Sequence, residues 1–242
     1  MNKEKNIKID IIGQGNVGSH LHNVLNDIYD VCLINSRSLQ DLRKNSDLYI
    51  ISVRDDVIVE VTNLILPCLS EKSIIVHTSG TSPLSIIEMK HINTGVFYPL
   101  QTFTKGSTLN YNEIPILIEA SNDYSADFLN KVALKISRNV KNINSEDRKN
   151  LHIASVFSCN FVNHLWALSE KFLKEKGMDF NLLLPLIKET TKKIERLLPT
   201  DAQTGPAKRH DYNTLESHYD RLKNDKKLYD IYHLLSKSIM QS

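Results

Sequence analysis

The chain has 242 residues, 41% of them hydrophobic and 24% charged, with a formal net charge of +2 at pH 7. That balance fits a globular protein of one large or two modest domains and gives no broad electrostatic case for nucleic acid or membrane-surface partners. The apolar runs are strand-sized, which excludes a transmembrane helix, and Met1-Asn2-Lys3-Glu4-Lys5 lacks the apolar centre of a signal peptide. The scattered cysteines Cys32, Cys68 and Cys159 have no metal-ligand spacing and point to a reducing, cytoplasmic setting.

In chain order, the first element is an alternating, isoleucine-rich strand over Ile7–Ile12. Val17, Leu21, Val24, Leu25 and Ile28 then recur at helical spacing. Gly13-Gln14-Gly15-Asn16-Val17-Gly18 joins the two. Glycines so spaced between strand and helix point to a dinucleotide: Gly13 for the tight turn, Gly15 for close approach of a pyrophosphate, Gly18 for helix–strand packing. The helix N-terminus offers unpaired N–H groups and a positive dipole end to the phosphates. The next strand, Val31–Ile34, ends at Asn35-Ser36-Arg37. An NAD-preferring site usually has an acid here for the ribose 2′-hydroxyl, as a methyltransferase would want for its own ribose hydroxyls. A hydroxyl and a guanidinium suit a 2′-phosphate, so Ser36 and Arg37 point to NADP.

Strands over Leu48–Val53, Ser73–His77, Gly95–Tyr98, Pro115–Glu119 and Val140–Ile143 follow. Between them the pattern predicts a helix Val57–Leu66, N-capped by Asp55 and ended by Pro67, a short helix opened by Ser82-Pro83, and a helix Asp123–Ile136. This alternation predicts an α/β fold with a doubly wound, mostly parallel sheet. From Asn144 the pattern is helical only. A long helix runs through Leu151–Leu173 to a stop at Gly177, a second spans Phe180–Leu198, and a polar loop, Pro199–His210, precedes two more. The expected division is a nucleotide-binding domain, residues 1–145, followed by an all-helical domain, residues 146–242. The cleft is expected beyond the carboxyl ends of the strands, facing the helices.

Those strand ends supply the candidate ligand contacts. Ser52 and Val53 are expected beneath the adenosine and diphosphate, and Thr78 and Ser79 near the nicotinamide ribose or carboxamide. Loop capping is the plainer role for His77 and Ser79. Ser79 does not fit a hydrolase nucleophile, because His77 and Thr81 stand where the nucleophile elbow needs glycines. After the Gly95–Tyr98 strand, Tyr98 and Gln101 face the cleft, or Tyr98 joins Leu100 and Phe103 in the core. On the long helix, His152, Val156, Asn160 and Asn163 share one broad face at ~100° per residue. A substrate or inter-helix hydrogen bonds would satisfy that polar seam. In Thr204–Asp211, Arg209 either pairs with Asp211 or binds a substrate carboxylate. Asp211 also suits an N-cap, with His218 about two turns along. His210, Asp211 and His218 match no common zinc spacing, and no metal is expected.

The residues Gly13–Gly18, Asn35-Ser36-Arg37 and His77-Thr78-Ser79-Gly80 resemble the NADP-binding half of the superfamily of deazaflavin-dependent NADP oxidoreductases and pyrroline-5-carboxylate reductases. Phe97–Phe103 and Thr204–Asp211 resemble a narrower family that joins a Rossmann-like domain to a helical domain of unknown function. The resemblance covers nearly the whole chain. It implies an NADP-dependent oxidoreductase, homodimeric through its helical domain, with no established substrate. Related β-hydroxyacid dehydrogenases carry Lys-x-x-x-Asn on the first helix after the Rossmann domain. Here His152 and Val156 hold those positions, which argues against that chemistry and leaves His152 as the candidate acid/base. The expected function is hydride transfer between NADP(H) and a small carbonyl or imine compound, with Gln101, Asn160, Asn163, Arg209, Asp211 and His218 as the substrate-side candidates. The missing lysine–asparagine pair motivates an alternative, a non-catalytic NADP(H)-binding sensor. A pyrroline-5-carboxylate reductase proper is a third reading.

Overall fold

The structure, a computed structural model, describes residues 6–242. Short β-branched runs, buried on both faces, form a seven-stranded sheet. Its strands are β1 (Lys8–Ile12), β2 (Asp30–Ile34), β3 (Leu48–Ile51), β4 (Ile74–His77), β5 (Thr94–Pro99), β6 (Ile116–Ala120) and β7 (Val140–Asn142). They lie in the order β2-β1-β3-β4-β5-β6-β7. The first five in that row are parallel, β6 runs antiparallel to β5, and β7 is parallel to β6. The reversal at β6 has a local cause. The segment between Pro99 and Ile116 holds one 3-10 turn, Tyr111–Glu113, and no crossover helix that could return the chain for parallel pairing.

The sheet is doubly wound, as its sequence pattern predicts. Ile9, Ile11, Leu48, Ile50, Ile74, Val76 and Phe97 point to one face, where they bury Leu21 and Leu25 of α1 (Asn16–Asn26). Ile12, Tyr49, Ile51, Ile75 and Val96 alternate to the other face. There they meet α2 (Ile58–Ile65) and α3 (Ser85–Glu88). Leu129 and Val132 of α4 (Asp123–Leu134) return to the first face. Buried Asp10 on β1 is matched by Arg43, whose Nε lies 2.6 Å from Asp10 Oδ1 and whose Nη1 lies 2.9 Å from Asp30. This pair anchors the segment after β2 to the sheet.

One predicted cap is corrected. Asp55 does not cap the α2 region: a 3-10 turn, Asp55–Val57, precedes the helix and has no side-chain cap. The Asp55 carboxylate instead accepts hydrogen bonds from Ser79 Oγ at 2.7 Å and Thr81 Oγ1 at 2.5 Å.

The chain forms two compact units, one extending to Cys159 and the other comprising Asn160–Ser242. Helix α5 (Ser145–Ser155) makes its side-chain contacts within the first unit. A π-helical segment, Val156–Phe161, separates it from α6 (Val162–Lys174). That segment interrupts the 3.6-residue period by which His152 and Asn160 were assigned one face. The expected helix Phe180–Leu198 is shorter, with a 3-10 turn Phe180–Leu183 leading into α7 (Leu184–Lys193). Then come α8 (Pro199–Ala202), α9 (Tyr212–Leu222) and α10 (Lys226–Met240). Among the described residues, no helix is long and apolar enough to cross a membrane.

Candidate functional site

The parallel strands β2, β1, β3 and β4 end along one edge, and the segments leaving them are tied to each other. Gly13 N donates to Ile34 O at 2.9 Å, Ser52 N to Ile12 O at 2.8 Å, and Thr78 N to Ile51 O at 3.1 Å. The sheet thereby brings Gly13–Gly18, Asn35–Arg37, Ser52–Val53 and Thr78–Ser79 into one row at the carboxyl ends, with β1 at the topological switch.

The three glycines of the turn are needed for different reasons. Gly13 has φ +122°, and a Cβ there would lie 2.0 Å from Ser52 O. A Cβ on Gly18 would lie 2.0 Å from Gly13 O, so these two residues let backbone pack on backbone. Gly15 has an ordinary φ of −72°, and a Cβ on it would meet nothing within 4 Å. It opens onto space at the N-terminus of α1, which has no side-chain cap and no acid in its first turn. The free N–H groups and the positive dipole end suit an anion.

Other candidates have protein partners. The Asn16 amide donates to Phe103 O at 2.9 Å, and His20 Nε2 lies 2.8 Å from Thr104 O. Together they pin the segment after β5 against α1. Ser79 is buried: its hydroxyl donates to Asp55 and accepts from the backbone N–H groups of Thr81 at 3.1 Å and Ser82 at 2.9 Å. Gln101 is exposed, and its Oε1 accepts from Thr102 N. At the end of β2, Ser36 is half-buried and Arg37 exposed, while Arg43 is engaged by Asp10 and Asp30.

In the helical unit, Asn160, Asn163 and Arg209 are exposed. Asp211 caps α9 as its sequence position suggested, accepting from Thr214 N at 3.2 Å and Thr214 Oγ1 at 2.8 Å. These bonds, then the charges of Arg209 and His218, hold its carboxyl below the usual range. His218 Nδ1 lies 2.7 Å from Tyr232 Oη, tying α9 to α10.

Behind the β4 end lies a buried polar cluster that the sequence reading missed. Arg148 of α5 is fully buried; its guanidinium pairs with Glu119 of β6 and donates to Ser82 O. Ser145 Oγ donates to the same carboxylate at 2.8 Å. The one signal available was a glutamate closing the apolar run Ile114-Pro115-Ile116-Leu117-Ile118, which requires a partner if buried. His152 stands one turn beyond Arg148 on α5, and its Nδ1 is 3.1 Å from Tyr98 Oη.

His77, at the end of β4, is fully buried. Burial first, then the nearby Arg148 charge, push its imidazole down to about 4. An unfolded histidine titrates near 6.5, so between those values the unfolded chain binds more protons than the folded one. Stability contributed by neutral His77 is complete above about pH 6.5 and declines as pH falls toward 4, by up to about 3 kcal/mol. Thermal melts across this window should show that slope in the wild type and a shallower one in His77→Asn; equal slopes would exclude His77 as its source.

Comparison with known proteins adds relatives of two kinds. A Bacteroides fragilis protein described as a candidate NADP oxidoreductase is 35% identical, with 98% of each chain covered and a TM-score of 0.89. A Thermotoga maritima protein is 22% identical over 96% of this chain and 97% of its own, with a TM-score of 0.74. A Plasmodium falciparum pyrroline carboxylate reductase, solved with NADP bound, is 16% identical over 97% of this chain and 100% of its own, with a TM-score of 0.61. At such identities the last two speak for the fold alone. No curated protein is similar enough in sequence to match. A domain of unknown function, DUF2520, matches residues 114–239, more than half of the chain, and the protein belongs to that family.

Proposed function

We propose that the chain is an NADP(H)-dependent oxidoreductase acting on a small carbonyl or imine compound. The observation that carries this reading is Gly15. The protein's own packing gives no reason for a glycine there, whereas a diphosphate passing over the uncapped start of α1 does. Gly13–Gly18 would hold the diphosphate through backbone N–H groups, with Ser52 and Val53 beneath. Ser36 and Arg37 would take a 2′-phosphate, since no acid stands at the end of β2. Thr78 and Ser79, just beyond the end of β4, would lie near the nicotinamide ribose or carboxamide. A bound reduced nicotinamide supplies the hydride. His152 is then the candidate to give the substrate oxygen or nitrogen its proton.

Substrate orientation by Gln101, Asn160, Asn163, Arg209, Asp211 and His218 belongs to the same proposal, as does a homodimer formed through the helical unit. Supporting the dimer, that unit buries few apolar side chains (Ala207, Leu215 and Leu222) while Leu182, Leu186, Leu198 and Leu234 stay exposed. The cysteines are free thiols, in keeping with a cytoplasmic site of action.

Calorimetric titration with NADPH and NADH tests the reading. NADPH is expected to bind at least about tenfold more tightly, a difference of about 1.4 kcal/mol. Arg37→Ala should remove most of that preference and leave NADH binding unchanged. If neither nucleotide binds, the oxidoreductase reading is lost. Binding without NADPH oxidation against a panel of carbonyl and imine compounds would favour the sensor reading, which His152 and Val156 in place of lysine and asparagine support.

A further inference from the structure

Tyr98, His152 and Gly80 come from three separate segments and meet at one point. Tyr98 leaves β5, Gly80 follows β4, and His152 lies near the end of α5. A Cβ on Gly80 would lie 2.6 Å from His152 Nδ1 and 2.9 Å from Tyr98 Cζ. Any other residue at position 80 would therefore displace both rings. The glycine is the seat on which the pair rests, and its φ is not in the left-handed region that would otherwise call for glycine.

We infer that Tyr98 is a positioning residue that locks the neutral His152 ring in the tautomer with its hydrogen on Nε2, the atom that gives a proton to the substrate. This rests on the oxidoreductase reading for its substrate, and on geometry for the lock itself. Tyr98 is half-buried, and His152 Nδ1 is the hydrogen-bond partner of its hydroxyl among the described residues. A phenol O–H directed at Nδ1 leaves Nδ1 as acceptor and places the ring hydrogen on Nε2. Burial, the largest influence on Tyr98, keeps the phenol protonated and able to donate, and the nearby Arg148 charge acts in the opposite sense.

The proton account closes without an imidazolium. As the substrate carbon is reduced, the electron pair of its C=O or C=N bond takes the Nε2 proton, and Nδ1 takes the Tyr98 proton. The ring stays neutral. The phenolate left on Tyr98 lies in the field of Arg148; it takes its proton back from Nδ1 as Nε2 takes one from water, which restores the starting tautomer.

The test uses the full chain labelled with 15N in its histidines, with the His152 signals assigned by their loss in His152→Gln. Long-range 1H–15N correlation at alkaline pH reads which ring nitrogen carries the hydrogen. The expected result is Nε2–H with a bare Nδ1 in the wild type. A mixture of tautomers is expected in Tyr98→Phe, and the same loss in Gly80→Ala, which touches neither ring chemically. A wild-type ring protonated on Nδ1, or a Tyr98→Phe spectrum unchanged from wild type, would overturn the inference. This readout needs no nucleotide, so its failure is distinct from a failed NADPH titration. With a substrate in hand, Tyr98→Phe should lower kcat at least tenfold at unchanged NADPH affinity; an unchanged kcat would overturn the relay.

Discussion

Gly13→Ala should cost the protein about 3–5 kcal/mol, whereas Gly15→Ala, two residues away, should fold as well as the wild type and bind NADPH more weakly. At Gly13 an alanine meets two penalties: a backbone conformation that L-residues rarely adopt, and a methyl group 2.0 Å from the Ser52 carbonyl oxygen. The obstacle is backbone just beyond the carboxyl end of β3, so no side chain can swing away. A loss of that size is a large share of ordinary domain stability, about 5–15 kcal/mol. At Gly15 the extended backbone and the open space accept a methyl group without strain. The change in stability should stay within about 0.5 kcal/mol, or be slightly favourable because alanine narrows the unfolded ensemble. NADPH affinity should nevertheless fall at least about tenfold, since the methyl group occupies the path of the diphosphate. Urea unfolding and calorimetry on both variants separate the two effects. A Gly15→Ala protein that binds NADPH like the wild type would mean that the phosphates run elsewhere.

Removing the Glu119 carboxylate should be comparably severe. Glu119→Ala leaves the guanidinium of Arg148 buried without its counter-ion, a situation that costs about 3–5 kcal/mol. The melting temperature should drop by about 10 °C. The damage comes from the stranded charge more than from the lost bond, so Glu119→Leu combined with Arg148→Met should recover most of the stability. A double variant as unstable as Glu119→Ala would point instead to the Ser145 hydrogen bonds as the principal contribution. A loss below about 1 kcal/mol in Glu119→Ala would mean that water reaches the pair.

The sheet was legible because its code is local. Ile7–Ile12, Leu48–Val53 and Ser73–His77 are β-branched runs bounded by turn residues, and the glycine turn between strand and helix has few structural meanings. What escaped was long-range. Arg148 sits in Ser145-Glu146-Asp147-Arg148-Lys149, which reads as a solvated helix start, yet its partner is 29 residues earlier in the chain. Asp55 looked like an N-cap by position, and the hydroxyls that claim it belong to the turn after β4. The π-helical segment left no mark, because apolar spacing is read on the assumption of a constant period. Tyr98 was balanced between cleft and core, and only the meeting with His152 and Gly80 gives it a chemical partner.

The contacts of Asn16 and His20 with Phe103 and Thr104 make the start of α1, at the glycine turn, and the segment that leads on from Gln101 one mechanical element. A ligand that shifts this segment also changes the first turn of α1, and a nucleotide that settles on that turn changes the segment. Thermodynamic linkage requires the two effects to be equal in free energy. Occupancy of either position would then set the affinity at the other, and dissociation constants measured for nucleotide and substrate separately would misstate those of the ternary complex by one common factor.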